Sequence, residues 1–199
     1  MSATLLMPIL RPIVAVALLA IAWAACCAPP NDEDIIVHVQ KNGESIVVDV
    51  DLLVEATVPE TWSVMTDYDH MAQFISDLYY SSIINRVGDT LRVAQRGKAS
   101  RGFFTISFEN VREIMLIPHH EVRSRMISGD LKASDFTTRV VDHGVATQII
   151  NHGELIPKMW VPPIIGPAVI EAETRKHFPE LRKEILRRKA TSAAASRAP

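Results

Sequence analysis

Cysteine is nearly absent from this 199-residue chain, which has only the adjacent pair Cys26 and Cys27 near its N-terminus. A disulfide framework and a cysteine-ligated zinc site are therefore excluded for the folded part of the chain. An excess of one charge is also missing, since 21 Lys and Arg stand against 23 Asp and Glu, for a net charge of -2. A dedicated nucleic-acid-binding protein needs a basic face to meet phosphates, so this composition argues against a nucleic-acid partner.

The N-terminus carries a continuous apolar run. Residues Pro12 to Ala25 are apolar and follow Arg11, the only charged side chain before Asp32. This pattern is typical of a bacterial secretory signal, and the A-W-A sequence ending at Ala24 has the form of a cleavage site. Two alternatives stay open: a lipidated Cys26, or an uncleaved anchor, although the run is shorter than the roughly 20 residues of a spanning helix. All three predict an exported protein, either periplasmic or tethered to the membrane.

Composition divides the chain into four parts. A signal peptide or membrane anchor is predicted over residues 1–24, a proline-containing acidic linker over 25–34, one domain over 35–190, and a disordered tail over 191–199. Hydrophobic residues make up 48% of the chain and charged residues 22%, a balance typical of globular proteins.

Short alternating segments, separated by turn residues, fill most of the domain. Two strands flank Asn42-Gly43, which is a strong hairpin signal. Two short helices follow: Pro59 suits the start of the first, and Asp69 can cap the second. The next part predicts a curved antiparallel sheet, because its loops are short enough to join neighbouring strands. Its candidate strands are Ser81–Val87, Thr90–Gly97, Phe103–Ile114, Glu121–Ser128, Asp135–Val141 and Val145–Leu155.

A long helix is predicted to end the domain, from about Ile164 to Lys189. Phe178, Leu181 and Ile185 keep the three-four spacing of a buried helical stripe. Pro179 has no backbone N–H to donate to the preceding turn, so the sequence predicts a kink or a restart of the helix there.

This order of elements resembles the helix-grip fold of the SRPBCC superfamily, which includes START domains, polyketide cyclases and coenzyme Q-binding proteins. The segment Glu55–Asp69 (EATVPETWSVMTDYD) is similar to the opening motif of that superfamily. Ser128–Asp130 resembles its glycine turn, and the prolines within Leu155–Pro167 resemble its lead into the last helix. The resemblance covers about Ile35 to Lys189. It implies an α+β fold in which a curved antiparallel sheet of about seven strands surrounds a long C-terminal helix, with two short helices after the first long strand.

The resemblance also implies an apolar cavity between sheet and helix, the usual form of a small-molecule site. Superfamily members often carry Trp in the strand where this chain has Thr138, and the smaller side chain would enlarge or reshape that space. Met159-Trp160-Val161, bracketed by prolines, is a candidate lip of the cavity or a membrane-touching edge. The candidate ligand-binding residues are Tyr68, Phe104, Phe108, Ser124, Met126, Thr138, Ile149 and Trp160. Ordinary core packing is the alternative for each of them.

No catalytic set stands out in the domain. It has no cysteine nucleophile, no G-x-S-x-G and no H-E-x-x-H motif. His152 and Glu154 lie two apart in a strand and would form an acid/base pair inside the cavity, but the strand alternation favours the solvent side for both. We therefore expect no metal and no cofactor.

The expected function is binding, with possible transport or chaperoning, of a hydrophobic small molecule such as a lipid or a quinone. Two alternatives stay open: an enzyme of the cyclase or dehydratase type acting on a polyketide-like or aromatic substrate, and a protein-interaction module. The sequence does not identify the ligand.

Overall fold

The computed structural model describes residues 35–101, 104–158 and 162–196. The predicted signal peptide and linker, like Trp160, lie outside the described residues. Within them the chain forms eight strands, two α-helices and a short 3₁₀ turn at Met71–Gln73. The elements are β1 (Ile35–Asn42), β2 (Ser45–Val54), α1 (Val58–Met65), β3 (Leu78–Val87), β4 (Thr90–Arg101), β5 (Phe104–Ile117), β6 (Glu121–Gly129), β7 (Leu131–Asp142), β8 (Thr147–Pro157) and α2 (Ile165–Ala195).

Local sequence signals account for the first elements. Gly43 adopts a φ of 60° in the turn between β1 and β2, a conformation that glycine reaches without strain. Helix α1 begins with Pro59 in its first turn, where a missing N–H costs nothing. The Glu60 carboxylate accepts a hydrogen bond of 2.8 Å from the backbone N–H of Thr57, which satisfies a donor at the start of the helix.

The eight strands form one antiparallel sheet in the order β1-β2-β8-β7-β6-β5-β4-β3. Helix α2 packs mainly against β1, β2 and β4, which lie toward the two sides of this sheet. The sheet therefore holds the helix between two arms, while β5 to β8 form the floor between them. This arrangement is the predicted helix-grip fold, with eight strands in place of about seven.

The apolar core lies between the inner face of the sheet and the two helices. Its fully or almost fully buried side chains come from β2, β4, β5, β8 and both helices, and include Leu52, Val64, Leu91, Ile149 and Ile185. Burying side chains of this size stabilises the fold by about 1.5–3 kcal/mol each before the entropy cost of ordering the chain.

Ion pairs fasten the C-terminal half of α2 to the rest of the fold. Arg188 donates to Asp67, which follows α1, and also to Glu184, each at 2.7 Å. Hydrogen bonds from Arg187 and Arg188 lower the pKa of Glu184 to about 2. The Glu184 carboxylate therefore stays ionised at neutral pH and keeps the two arginines in place.

The loop before β3 is also tied to α2. The backbone N–H of Ser76 donates to the Glu180 carboxylate at 2.9 Å. Asp77, which has a φ of 62°, forms ion pairs with Lys98 of β4 and Lys176 of α2. The hydrogen bond from Lys176 lowers the pKa of Asp77, so this carboxylate remains charged between the two lysines.

Helix α2 is longer than predicted. Of the two predicted effects of Pro179, the structure excludes a restart, because this residue lies inside a continuous helix. The helix also continues to Ala195, into the segment from Thr191 for which the sequence predicts a disordered tail. Ala193, Ala194 and Ala195 are strong helix formers, which explains how an exposed extension remains helical.

None of the helices described here is both long enough and apolar enough to cross a membrane.

Candidate ligand-binding site

The burial of side chains on the inner face of β5 to β8 differs between the two ends of the sheet. Near α1 its side chains are buried, as at Ile114, Val122 and Val140. Toward the end where α2 begins, residues on the same face are only partly buried although they lie on the helix side of the sheet. These residues, which we call the floor cluster, are Phe108, Asn110, Arg112, Ser124, Met126, Phe136 and Thr138. The protein itself therefore does not fully cover this part of the inner face.

Arg112 is the charged member of the floor cluster. Its Nη1 donates to the Ser134 hydroxyl at 3.1 Å, and its Nη2 donates to the carbonyl oxygens of Ser124 and Ser134 at 3.2 and 3.4 Å. Its Nε donates to the Ser124 hydroxyl, and the guanidinium lies 5.7 Å from the centre of the Phe136 ring. Arg112 thus joins β6 to β7 close to the place where their ladder ends, at the pair Arg125–Asp135.

Tyr68, in the segment after α1, lies within electrostatic reach of this cation. Its side chain belongs to the core, and the residue is 8% exposed. The Tyr68 hydroxyl interacts electrostatically with Arg112 but has no hydrogen-bond partner among the described residues. Burial raises the pKa of Tyr68, so the hydroxyl keeps its proton and remains a donor at every physiological pH.

Gly153 of β8, which has no side chain, makes room for the ring of Phe136. Phe136 of β7 lies directly opposite Gly153 of β8. A Cβ atom at Gly153 would overlap the Phe136 ring, so the ring lies flat against the glycine backbone. Beside them, Thr138 donates to the side-chain oxygen of Asn151 at 2.8 Å. Phe136 and Thr138 are held by these contacts and form a defined surface.

Most of the predicted ligand-binding residues lie at this surface. Phe108, Ser124, Met126 and Thr138 are members of the floor cluster, and Tyr68 adjoins it through Arg112. Ile149 has no exposed surface and is part of the core near α1. Phe104 begins β5.

Three polar residues on the inside of the fold were missed by the sequence reasoning. Asn110 and Arg112 continue the even-numbered inner face that contains Phe108 and Ile114, so strand alternation would have placed both inside. The side-chain oxygen of Asn110 is buried without a hydrogen-bond partner. Helix α2 adds Glu173, which is nearly buried and lies 3.3 Å from His177 one turn later.

His152 and Glu154 of β8, which were considered as an acid/base pair, lie on the outer face of the sheet. His152 is exposed and its Nδ1 contacts the Asp49 carboxylate of β2 at 2.6 Å, while Glu154 points to solvent on the same outer face. Neither takes part in the inner surface. Among the described residues there is no group of three or more His, Cys, Asp or Glu that could hold a metal ion.

A pocket of about 420 Å³ opens beside the first turn of α2. Its wall includes the buried Ile46 together with Pro157 and Gly166, and its rim carries three lysines and one glutamate, namely Lys41, Lys132, Lys158 and Glu44. Lys132 and Glu44 form an exposed ion pair at 3.0 Å. The pocket therefore lies at the end of the sheet from which α2 begins, and its rim is basic.

Solved structures match this chain over most of its length, whereas no family model and no curated protein matches its sequence. A STAR-related lipid transfer protein from Xanthomonas axonopodis gives a TM-score of 0.65 at 11% identity, covering 79% of this chain and 96% of that one. The Zhui aromatase/cyclase from Streptomyces sp. R1128 gives 0.62 at 13% identity, covering 72% and 95%.

A START superfamily protein from Mycobacterium smegmatis also gives a TM-score of 0.62, at 15% identity, covering 71% of this chain and 97% of that one. At such low sequence identity, structural similarity shows a shared fold and no more. The prediction of an α+β helix-grip fold is confirmed, and the chain shares its fold with these three structures.

Proposed function

We propose that this protein binds a hydrophobic small molecule on the floor cluster, between the sheet and α2. Its structural neighbours include an aromatase/cyclase and a STAR-related lipid transfer protein, and the name of the second refers to a lipid ligand. A lipid or a quinone-like molecule is the ligand class we propose. Each methylene group buried in such a site contributes about 0.8 kcal/mol, so a short chain already gives useful affinity.

The observation that carries this proposal is the incomplete burial of the floor cluster. Phe108, Met126 and Phe136 are large apolar side chains on the concave side of a sheet, where a packed core would bury them. Equivalent inner positions near α1 are buried in the same strands. Near α1 the protein buries the inner face of the sheet by itself. A bound apolar molecule would bury the floor cluster in the same way.

The pocket beside the first turn of α2 supports a route to this surface. It reaches the buried Ile46 of β2 and lies at the same end of the sheet as the floor cluster. The proposed ligand enters here, past the basic rim. The loop before β3 is a less suitable gate, because Glu180 and Lys176 bind it to α2.

Purification followed by solvent extraction tests the proposal. The full chain is expressed in a bacterium, purified, extracted with organic solvent and analysed by mass spectrometry. We expect a lipid or quinone-like molecule in a ratio near one per chain, absent from an unrelated protein purified in the same way. An empty extract, from protein that is folded by circular dichroism, would contradict the proposal.

A second candidate function is a cyclase or dehydratase acting on a polyketide-like or aromatic substrate. The observation that favours it is the Glu173–His177 pair, whose side chains are 11% and 29% exposed and 3.3 Å apart, within reach for proton transfer. The same extraction separates the two functions. An enzyme would accumulate unreacted substrate on a His177→Ala variant, whereas a carrier would hold the same molecule in both forms.

We also propose where in the cell the protein binds its ligand. The apolar run from Pro12 to Ala25 supports export, so that binding takes place outside the cytoplasm, in the periplasm or at the membrane surface. Fractionation of a bacterium that expresses the full chain tests this part. Recovery of the protein in the cytoplasm with its N-terminus intact would contradict it.

A further inference from the structure

Among the described residues, no acid forms a hydrogen bond or an ion pair with the partly buried Arg112. All four of its hydrogen bonds go to hydroxyl or carbonyl oxygens of Ser124 and Ser134, which are neutral. The one carboxylate with which it interacts electrostatically is Asp135, an exposed residue on the outer face of β7. Burial lowers the pKa of Arg112 but leaves it protonated, since an arginine titrates far above neutral pH. A cation that is partly shielded from water and has no anion in direct contact is costly.

The hydrogen-bond donors at and near Arg112 that have no acceptor also indicate an anionic ligand. A guanidinium has five N–H groups, and the hydrogen bonds to the two serines use four of them, so one N–H on Nη1 is left. The hydroxyl of Tyr68, a residue that is 8% exposed, is a second donor, and it has no acceptor among the described residues. Two donors and one uncompensated positive charge match the two oxygens of a single carboxylate.

We propose that the ligand is an amphipathic carboxylate, with its carboxylate bound by Arg112 and Tyr68 and its apolar part on Phe108, Met126 and Phe136. The inference rests on the proposed function and specifies the class of molecule that the site binds. The three basic side chains on the rim of the pocket beside α2 favour the approach of the same anionic group. A phosphate monoester fits less well, because it presents three oxygens to two donors.

The test compares two probes that differ only in the head group. Sodium decanoate and decan-1-ol have the same chain length, and their binding to the full chain is measured by titration calorimetry at pH 7.5. We expect decanoate to bind about tenfold or more tightly than decanol, because hydrogen bonds to charged groups are among the stronger ones in proteins. Chains of eight to sixteen carbons extend the comparison if ten is not the optimal length.

Two substitutions assign the preference to these residues. Arg112→Met is expected to remove the preference for decanoate over decanol, so that the ratio of the two affinities falls to about one. Tyr68→Phe is expected to weaken decanoate binding several-fold and so to lower the ratio of decanoate affinity to decanol affinity. Since the Tyr68 hydroxyl has no hydrogen-bond partner among the described residues, this variant is also expected to keep or raise the melting temperature of the ligand-free form.

The outcomes separate this inference from the function on which it rests. Equal binding of decanoate and decanol, with Tyr68→Phe unchanged toward both, would overturn the carboxylate inference and leave hydrophobic binding intact. Failure of every chain length of both probes, together with an empty extract, would overturn both. Because Arg112 also joins β6 to β7, Arg112→Met can fail to fold, and the response of Tyr68→Phe then decides.

Discussion

Replacing Thr138 by tryptophan is expected to weaken ligand binding by about 100-fold or more. Thr138 is half-buried on the floor cluster, and the indole ring would occupy the space in which the ligand lies. The added volume corresponds to about four methylene groups, and the loss of that much apolar burial costs about 3 kcal/mol. Decanoate binding by titration calorimetry, and the amount of ligand that co-purifies, measure the effect.

Thr137→Trp is the matched control for this variant. Thr137 is the preceding residue of β7 and lies on the outer face, opposite the exposed His152. The same substitution there is expected to leave ligand binding within twofold of the original chain. Thr138→Trp loses the hydrogen bond to Asn151, so its fold must be verified by circular dichroism. A folded Thr138→Trp protein that binds decanoate normally would contradict a ligand site on the floor cluster.

Replacing Gly153 by alanine is expected to destabilise the protein by about 1–3 kcal/mol, the usual cost of overfilling a packed interior. The new methyl group would overlap the Phe136 ring, which would have to leave its place beside the β8 backbone. Phe136 also lies over Arg112, so its displacement disturbs the site as well. Urea unfolding followed by circular dichroism measures the loss of stability.

A double-mutant cycle with Phe136→Ala shows whether the Phe136 ring causes that loss. Without the ring, Gly153→Ala is expected to be neutral or stabilising by about 0.5 kcal/mol, because alanine loses less backbone entropy on folding than glycine. The coupling between the two positions is then about 1 kcal/mol or more. An equal cost of Gly153→Ala in both backgrounds would show that the ring contact has no part in the effect.

Local patterns in the sequence were enough to predict the sheet. The Asn42-Gly43 turn, the alternation in the later strands and the short loops between them gave the hairpins and their antiparallel order. These signals are local, because a short turn leaves the chain little choice of neighbour. Strand ends were less accurate: β5 reaches Ile117, three residues beyond the predicted end at Ile114.

The chemistry of the site was harder to predict than its position. Strand alternation places Ser124, Met126 and Thr138 on the inner face, as the structure does. Arg112 was not considered as an inner residue because a charged side chain is normally on the surface. Only the assembled sheet shows that Ser124 of β6 and Ser134 of β7 accept hydrogen bonds from Arg112, and that Tyr68 lies within electrostatic reach of it.

Helix α2 continues through Pro179, although the rule that proline interrupts a helix predicts a change there. Proline inside a helix normally removes a hydrogen bond and breaks or kinks the helix, which is why the sequence predicts a change at Pro179. In the structure the helix is fastened on both sides of that residue, by Lys176 to Asp77 and by Arg188 to Asp67. Tertiary contacts of this kind join residues far apart in sequence, so no pattern within the helix reveals them.

Methyl NMR spectroscopy tests the location of the ligand most directly. Met126 belongs to the floor cluster, whereas Met115 lies on the outer face and is 48% exposed, so one labelled sample contains both the probe and its control. On titration of ligand-free protein with decanoate, the Met126 methyl signal is expected to shift and to show nuclear Overhauser effects to the alkyl chain, while Met115 stays unchanged. Saturable binding that shifts Met115 and leaves Met126 unchanged would contradict a site between the sheet and the helix.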